Sequence, residues 1–84
     1  MKVEIFGKPN CVFCDRAKTF LTNRKIEFEY YELGRDFDRG LINDSFPTMK
    51  TFPVIIVDRK LLGGYTEMVE AASEPNFGLT LLQE

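Results

Sequence analysis

The amino-acid sequence predicts an α/β fold in which helices flank one four-stranded mixed sheet, with the elements in the order β-α-β-α-β-β-α. Two observations carry this prediction. Residues 2–33 have the pattern of a strand, a helix and a second strand, and residues 53–62 that of a buried strand, a turn and a returning strand. A chain of 84 residues suits one compact unit, so we expect a single domain, 1–84.

The first strand and the first helix have the clearest patterns. Residues 2–6 alternate polar and apolar side chains, which is typical of a strand, and the glycine, proline and asparagine within residues 7–10 break that pattern. From Phe13 the apolar side chains recur at positions i, i+4, i+7 and i+8, which predicts a helix that ends at about Asn23.

The second strand is predicted over residues 26–33, where apolar and aromatic side chains alternate with glutamates. Because a helix connects it to the first strand, the two strands are expected to run parallel, with a right-handed connection. Residues 34–36 have the composition of a loop. Residues 37–46 have weak helical periodicity. Gly40 lowers the helix propensity of this segment further, and Pro47 ends the predicted helix.

A hairpin is predicted in the second half of the chain. Residues 53–57 have the composition of a buried strand, and the proline at its first position is tolerated there. Residues 58–59 suit a turn, and residues 60–62 provide the returning strand.

A short helix is predicted after the glycine pair, over residues 65–73, with Thr66 as its expected cap. A last helical turn is expected over residues 77–82. We also expect the glycine pair and the loops at residues 7–10 and 48–52 to meet at one edge of the sheet.

The chain has only two cysteines, Cys11 and Cys14, and both lie at the start of the first predicted helix. Residues i and i+3 of a helical turn lie roughly 5–6 Å apart, which is within the reach of a disulfide. The helix N-terminus and the nearby Lys8 favour the thiolate of Cys11 by lowering the pKa of its thiol. We therefore predict that Cys11 is the nucleophile and that Cys14 is the resolving thiol.

Three other interpretations of the cysteine pair stay open on these residues alone. A structural disulfide at this short spacing would constrain the chain little, and such bonds suit secreted proteins. A zinc site needs two further ligands, and the chain has no histidine and no third cysteine, so no metal is expected. The two cysteines can also be buried as small apolar side chains. The redox pair is the favoured interpretation.

Charge and hydropathy argue against two classes of partner. The net charge is −2 and the pI about 5.1, without a basic block, so no nucleic-acid partner is expected. The longest wholly apolar run, Val54–Val57, is far too short to span a bilayer, and the N-terminus lacks a signal-peptide pattern. We therefore expect a cytoplasmic protein with no membrane partner, and in that compartment a Cys-x-x-Cys pair is more often catalytic than structural.

Three motifs together resemble the glutaredoxin family: Cys11-Val12-Phe13-Cys14 after the first strand, Thr51-Phe52-Pro53 before the third, and Gly63-Gly64 after the fourth. The resemblance covers nearly the whole chain, and the small size is similar to that of bacterial and phage glutaredoxins. It implies a thioredoxin-like fold. It also implies glutathione-dependent thiol–disulfide exchange, in which the two cysteines reduce protein disulfides or glutathione mixed disulfides.

The resemblance further implies a set of glutathione-binding residues. Lys8 matches the family lysine that supports the thiolate and the glycine carboxylate of glutathione. Pro53 matches the cis-proline of the family, and Phe52 matches the residue whose backbone pairs with the glutathione cysteine. Thr66 and Glu67 occupy the positions that hold the γ-glutamyl group. The other implied binding residues are Phe13, Lys50, Thr51 and Gly64.

Departures from the family pattern leave alternatives open. Phe13 stands where tyrosine is usual, and Val12 stands where proline is usual. In the family, absence of that proline can accompany an iron–sulfur cluster (2Fe–2S) carried by a glutathione-bridged dimer. A redoxin reduced by thioredoxin reductase is a second alternative, which the glycine pair with Thr66 and Glu67 disfavours. A binding module with inert cysteines is a third.

The resemblance also sets the expected partners. Glutathione is the expected co-substrate, and disulfide-containing client proteins are the expected substrates, with ribonucleotide reductase as a plausible client. The chain is expected to act as a monomer.

Overall fold

The structure, a computed structural model, describes residues 2–72 of the chain. These residues form four strands and three helices, in the order that the sequence predicts. The elements are β1 (Val3–Gly7), α1 (Val12–Asn23), β2 (Glu29–Glu32), α2 (Arg39–Ser45), β3 (Val54–Val57), β4 (Lys60–Gly63) and α3 (Tyr65–Ala72).

The four strands form one mixed sheet in the spatial order β2-β1-β3-β4. β1 runs parallel to β2, as predicted for strands joined by a helix, and antiparallel to β3. Ile5, at the centre of β1, pairs with Tyr30 on one side and with Ile55 on the other. β3 and β4 form the predicted hairpin, whose turn residues Asp58 and Arg59 have positive φ angles of 51° and 67°. The predicted thioredoxin-like architecture is therefore confirmed.

Two apolar layers cover the two faces of this sheet. On one face, Leu21 of α1 and Met68 of α3 pack around Ile55 of β3, and all three are almost fully buried. On the other face, Ile42 of α2 packs against Val54 of β3. Because consecutive residues of a strand point to opposite faces, β3 is fixed from both sides directly after the loop that precedes it.

β2 is shorter than the sequence predicts, because only Glu29–Glu32 pair with β1. Ile26, the first residue of the predicted strand, instead closes the end of α1. Its N–H donates to the Leu21 carbonyl at 3.0 Å, and Lys25 before it has a φ of 59°. Ile26 and Phe28 still pack against the core. The alternating pattern thus identified side chains that are partly buried, but not which backbone groups pair in the sheet.

α2 is also shorter than predicted and begins at Arg39. Asp38 caps its N-terminus, since its Oδ1 accepts a hydrogen bond from the Leu41 N–H at 3.1 Å. Phe37, which the sequence places inside the helix, lies before this cap and packs against the aromatic ring of Phe52. The apolar periodicity of the segment therefore includes one residue that is partly buried without being helical.

The helix predicted at residues 65–73 is confirmed as far as Ala72. The last helical turn predicted at residues 77–82 lies outside the described residues. Among residues 2–72, no helix has both the length and the apolar composition needed to cross a membrane.

Candidate active site

Cys11 and Cys14 form a disulfide across the first turn of α1. Cys11 is the N-cap residue, with extended backbone (φ −118°, ψ 106°), and its sulfur accepts a hydrogen bond from the Cys14 N–H at 3.1 Å. The two Cα atoms lie 5.2 Å apart, within the range that a disulfide requires. The turn therefore holds both sulfurs where the bond can close and open, as the spacing predicts.

The two cysteines differ in their exposure to solvent. Cys14 is fully buried, whereas Cys11 keeps 8% of its surface exposed, and the next residues, Val12 and Phe13, are exposed. Thiol–disulfide exchange requires access to the sulfur that reacts. The difference in exposure therefore supports Cys11 as the sulfur that meets the substrate and Cys14 as the sulfur that resolves the intermediate.

A groove of about 300 Å³ opens beside the cysteine turn. Its walls come from three segments that are far apart in the sequence: the cysteine turn, the loop before β3 and the N-terminus of α3. The glycine pair and the loop at residues 48–52 were expected to meet at one edge of the sheet, and both contribute to the groove, whereas the loop at residues 7–10, expected there as well, does not line it. Seven of the nine residues predicted to bind glutathione line the groove: Phe13, Thr51, Phe52, Pro53, Gly64, Thr66 and Glu67.

The loop before β3 contributes Phe52 and Pro53 to this groove. The Phe52–Pro53 peptide bond is cis, as the resemblance implies, and Pro53 is fully buried. The Phe52 ring lies against Phe37, with 6.1 Å between centroids, and the Arg39 guanidinium carbon lies 5.4 Å from the Phe52 centroid. Phe52 is therefore held from the side of α2 while it lines the groove.

Glu67, and not Thr66, closes the N-terminus of α3, which corrects the predicted cap. Since α3 begins at Tyr65, Gly64 holds the N-cap position and Thr66 lies within the first turn. The Gly64 N–H donates to Glu67 Oε1 at 2.7 Å, which is one half of a capping box. Gly63 has a φ of 133°, and a Cβ on it would lie 2.7 Å from Glu67 Cβ and Cγ. Glu67 thus packs against backbone that only a glycine allows.

The two lysines predicted for the site lie outside the walls of the groove. Lys50 lines an adjoining cleft of about 80 Å³, together with Arg39. Phe52 lines both cavities, so these two cationic side chains stand next to the groove. Lys8 is exposed and precedes the cysteine turn, and it lines neither cavity.

Three residues of the site were not predicted as binding residues. Met49 and Tyr65 line the groove, and Arg39 lies against the Phe52 ring. Tyr65 follows the glycine pair directly, and its ring packs against Phe13 with 5.7 Å between centroids, so proximity to that motif was an available signal. Met49 and Arg39 gave no sequence signal, because their place depends on how the loop before β3 folds against α2.

Comparison with known proteins decides the family of this chain. The family profile described as Glutaredoxin matches residues 3–62, which is more than half of the chain. The chain belongs to the glutaredoxin family. Its relatives include the glutaredoxin of Haemophilus influenzae, 30% identical over 94% of this chain and 98% of that protein. The glutaredoxin of Vibrio cholerae is 33% identical, over 94% of this chain and 98% of that protein.

Solved glutaredoxin structures share the fold. Glutaredoxin 1 from Francisella tularensis, complexed with cacodylate, has a TM-score of 0.74 at 28% identity, over 86% of this chain and 92% of that chain. The buckwheat glutaredoxin–glutathione complex has a TM-score of 0.82 over 96% of this chain and 76% of that chain, and at 20% identity this likeness shows the fold alone. Family membership and the Cys11–Cys14 pair make this glutaredoxin a thiol–disulfide oxidoreductase, and glutathione dependence is typical of its family.

Proposed function

We propose that this glutaredoxin binds glutathione in the groove beside the cysteine turn and uses it to reduce protein disulfides and glutathione mixed disulfides. One observation carries the proposal: most of the residues predicted to bind glutathione, from three distant segments, line one cavity of about 300 Å³. That volume is at the lower end of the range for ligand pockets, which suits a small, partly exposed ligand.

The N-terminus of α3 suits the γ-glutamyl end of glutathione. Free N–H groups in the first turn of a helix favour a carboxylate, and the hydroxyl of Thr66 adds a further donor there. Glu67 supplies the negative charge for the ammonium group. Its Oε1 already accepts the Gly64 N–H, so Oε2 is the oxygen that would meet the ammonium.

The remaining contacts use the other two segments of the site. Lys50, in the adjoining cleft, and Lys8, before the cysteine turn, supply positive charge for the glycine carboxylate. The Phe52 backbone would pair with the cysteine of glutathione, as the resemblance implies. Phe13, Thr51 and Pro53 line the groove around that cysteine.

On a glutathione mixed disulfide, the Cys11 thiolate attacks the glutathione sulfur, and the client leaves as a thiolate that takes a proton from water. The thiolate of a second glutathione then attacks the glutathione sulfur bound to Cys11. Oxidised glutathione forms, and Cys11 leaves as the thiolate. The N–H groups at the start of α1 stabilise the negative sulfur in both steps.

On a protein disulfide, Cys11 first forms a mixed disulfide with one client sulfur and releases the other as a thiol. Cys14 then attacks Cys11 and displaces the client, which gives the Cys11–Cys14 disulfide present in this structure. One glutathione opens that disulfide by bonding to Cys11, and a second removes the first as oxidised glutathione. The client gains two electrons, and two glutathione molecules supply them.

This chemistry needs a supply of reduced glutathione, so we propose that the protein works in the cytoplasm. Its partners would be glutathione and disulfide-containing clients, with ribonucleotide reductase as the client that the family resemblance suggests. The proposed working form is a monomer of one domain, because side chains of a single chain line the groove.

The test couples reduction of a small glutathione mixed disulfide to glutathione reductase and NADPH, with wild type, Cys11→Ser and Cys14→Ser side by side. We expect activity in wild type, none in Cys11→Ser, and retained activity in Cys14→Ser because this route needs only Cys11. On a protein disulfide, Cys14→Ser is expected to lose most of its activity. Turnover with thioredoxin reductase but not with glutathione would contradict the proposal and assign the protein to the redoxins.

An anaerobic preparation of the wild-type protein tests the iron–sulfur alternative. Residues 2–72 contain no group of three or more His, Cys, Asp and Glu side chains able to hold a metal ion. A cluster would therefore need thiolates from glutathione or from a second copy of the chain. An anaerobic preparation that is coloured, dimeric and inactive with glutathione would favour the cluster carrier over the reductase.

A further inference from the structure

A second groove runs along α1 and has a volume of about 540 Å³. Tyr65 lines both this groove and the one proposed for glutathione, and its ring packs against Phe13. The Phe13–Tyr65 pair therefore separates two grooves that both begin at the cysteine turn. We propose that the second groove binds the polypeptide segment around the client cysteine while the first binds glutathione. This inference rests on the proposed function.

The second groove continues directly from the reacting cysteine. Val12 follows Cys11 in the chain, lines the groove and is 62% exposed. Further along the helix the groove is lined by Arg16, Thr19 and Phe20. From Val12 to Phe20 the helix rises eight steps of 1.5 Å, which is about 12 Å. That length matches three or four residues of an extended peptide at about 3.3 Å each.

The side chains of the groove indicate which peptide it prefers. Val12, Phe20 and Tyr65 supply an apolar surface, which suits an apolar side chain next to the client cysteine. Arg16 is exposed and, among residues 2–72, has no carboxylate within ion-pair distance, although its guanidinium carbon lies 5.2 Å from the Phe13 centroid. The other charge in the groove, Asp15, is paired with Lys18 at 3.6 Å. The groove therefore favours a segment with apolar and acidic side chains.

The reaction requires a binding surface for the client that is separate from the glutathione groove. When Cys11 attacks a glutathione mixed disulfide, the sulfur attacked belongs to glutathione, which fills the first groove. The client is attached to the outer sulfur, so its chain has to lie outside that groove. The surface along α1 begins at the residue after Cys11 and is open to solvent, so it can hold the client without displacing glutathione.

Two short glutathionylated peptides test the inference on the full-length protein. Both carry leucine next to the modified cysteine; one has glutamates on each side, and the other has lysines instead. We expect kcat/KM for the glutamate peptide to exceed that for the lysine peptide by about threefold, as for an exposed ion pair. Arg16→Glu is expected to reverse the preference. Arg59→Glu, the same charge change in the exposed β3–β4 turn, should leave it unchanged.

A small glutathione mixed disulfide, measured in parallel, separates this inference from the proposed function. If wild type fails on the small substrate, the proposed function is wrong. If wild type reduces it but treats both peptides alike, or if Arg16→Glu keeps the wild-type preference, the client groove is wrong. The Cys11→Ser protein cannot react with the glutathionylated glutamate peptide, so adding that peptide should shift the amide NMR signals of Val12, Arg16 and Thr19 through binding alone. The inference would be overturned if these three amide signals did not respond to the peptide and if, in the free protein, residues 73–84 contacted the same positions.

Discussion

The sulfur of Cys11 is hydrogen-bonded to the backbone N–H of Cys14, with 3.1 Å between the sulfur and the nitrogen. Cys11 thus caps the helix with the sulfur that we propose as the nucleophile. Cys14, as the donor, has its own sulfur placed for the resolving step by the same turn. When the disulfide is reduced, this N–H remains available to a thiolate on Cys11, so the contact that starts the helix also supports the nucleophile.

In the reduced protein, Cys11→Ser and Cys11→Ala are both expected to be inactive but to differ in stability. Serine is a good N-cap and can accept the Cys14 N–H, whereas alanine leaves it without an acceptor. Cys11→Ala should therefore be less stable by about 1 kcal/mol. Urea denaturation under reducing conditions measures this difference. The pair Thr19→Ser and Thr19→Ala, on the exposed surface of the same helix, controls for intrinsic helix preference, which favours alanine.

Arg39→Ala is expected to raise KM for a small glutathione mixed disulfide about threefold, with little change in kcat. The reason is the lost contact with the Phe52 ring, 5.4 Å from the guanidinium carbon, which is worth about 0.5–1 kcal/mol for an exposed cation–π pair. Steady-state kinetics gives both constants. Arg24→Ala, which removes a similar contact with Phe20 at 4.4 Å, is the matched control.

A double-mutant cycle distinguishes the two ways in which Arg39 can act. If it acts by holding Phe52, then Arg39→Ala should have little further effect in a Phe52→Val background, because the aromatic face is already gone. If Arg39 binds glutathione itself, the two substitutions should act independently, so their effects on the logarithm of KM should add. An additive result would contradict the positioning role.

The sequence predicted those features that depend on local pattern. The cysteine spacing reports the geometry of one helical turn, so the disulfide and the position of Cys11 at the helix start followed from it. The order of elements followed from the two periodicities, and the parallel pairing of β1 and β2 followed from the helix that joins them. Seven of the nine residues that line the groove were found through the three motifs of the family, because each motif marks the segment that forms one wall.

The features that were missed depend on which of several nearby partners a backbone group bonds to in the folded chain. Ile26 has the side-chain pattern of a strand, but its N–H is already bonded to Leu21 at the end of α1. Thr66 has the chemistry of a cap, yet Glu67 reaches back to Gly64 because Gly63 leaves the space. Such choices are decided by which neighbour is closest in three dimensions, and a pattern along one chain does not contain that distance.

Glu67→Gln is expected to separate the two roles of Glu67. The glutamine oxygen can still accept the Gly64 N–H, so stability should stay near wild type, while the lost charge should raise KM for glutathione several-fold. Glu67→Ala loses both interactions and should also be less stable by about 1 kcal/mol. Urea denaturation and the dependence of rate on glutathione concentration provide the two measurements. An unchanged KM in Glu67→Gln would show that the carboxylate does not pair with the ammonium of glutathione.

Tyr31 is expected to make the stability of the protein fall at alkaline pH. Its hydroxyl donates to the Glu29 carboxylate, and this hydrogen bond is the main cause that raises the pKa of Tyr31 from 10.0 to about 12. The folded protein keeps the phenol proton at a pH where the unfolded chain has lost it. The contribution of Tyr31 to stability is therefore complete below pH 10.0 and is lost as the pH rises through about 12.

Urea denaturation at a series of pH values, for wild type and Tyr31→Phe, measures this dependence. Phenylalanine has no proton to lose, so the variant should show a smaller loss of stability across the alkaline range. Tyr30, whose pKa is raised mainly by burial, remains in both proteins and contributes to the loss that persists. An identical pH dependence in the two proteins would mean that the Glu29 hydrogen bond does not hold the Tyr31 proton in solution.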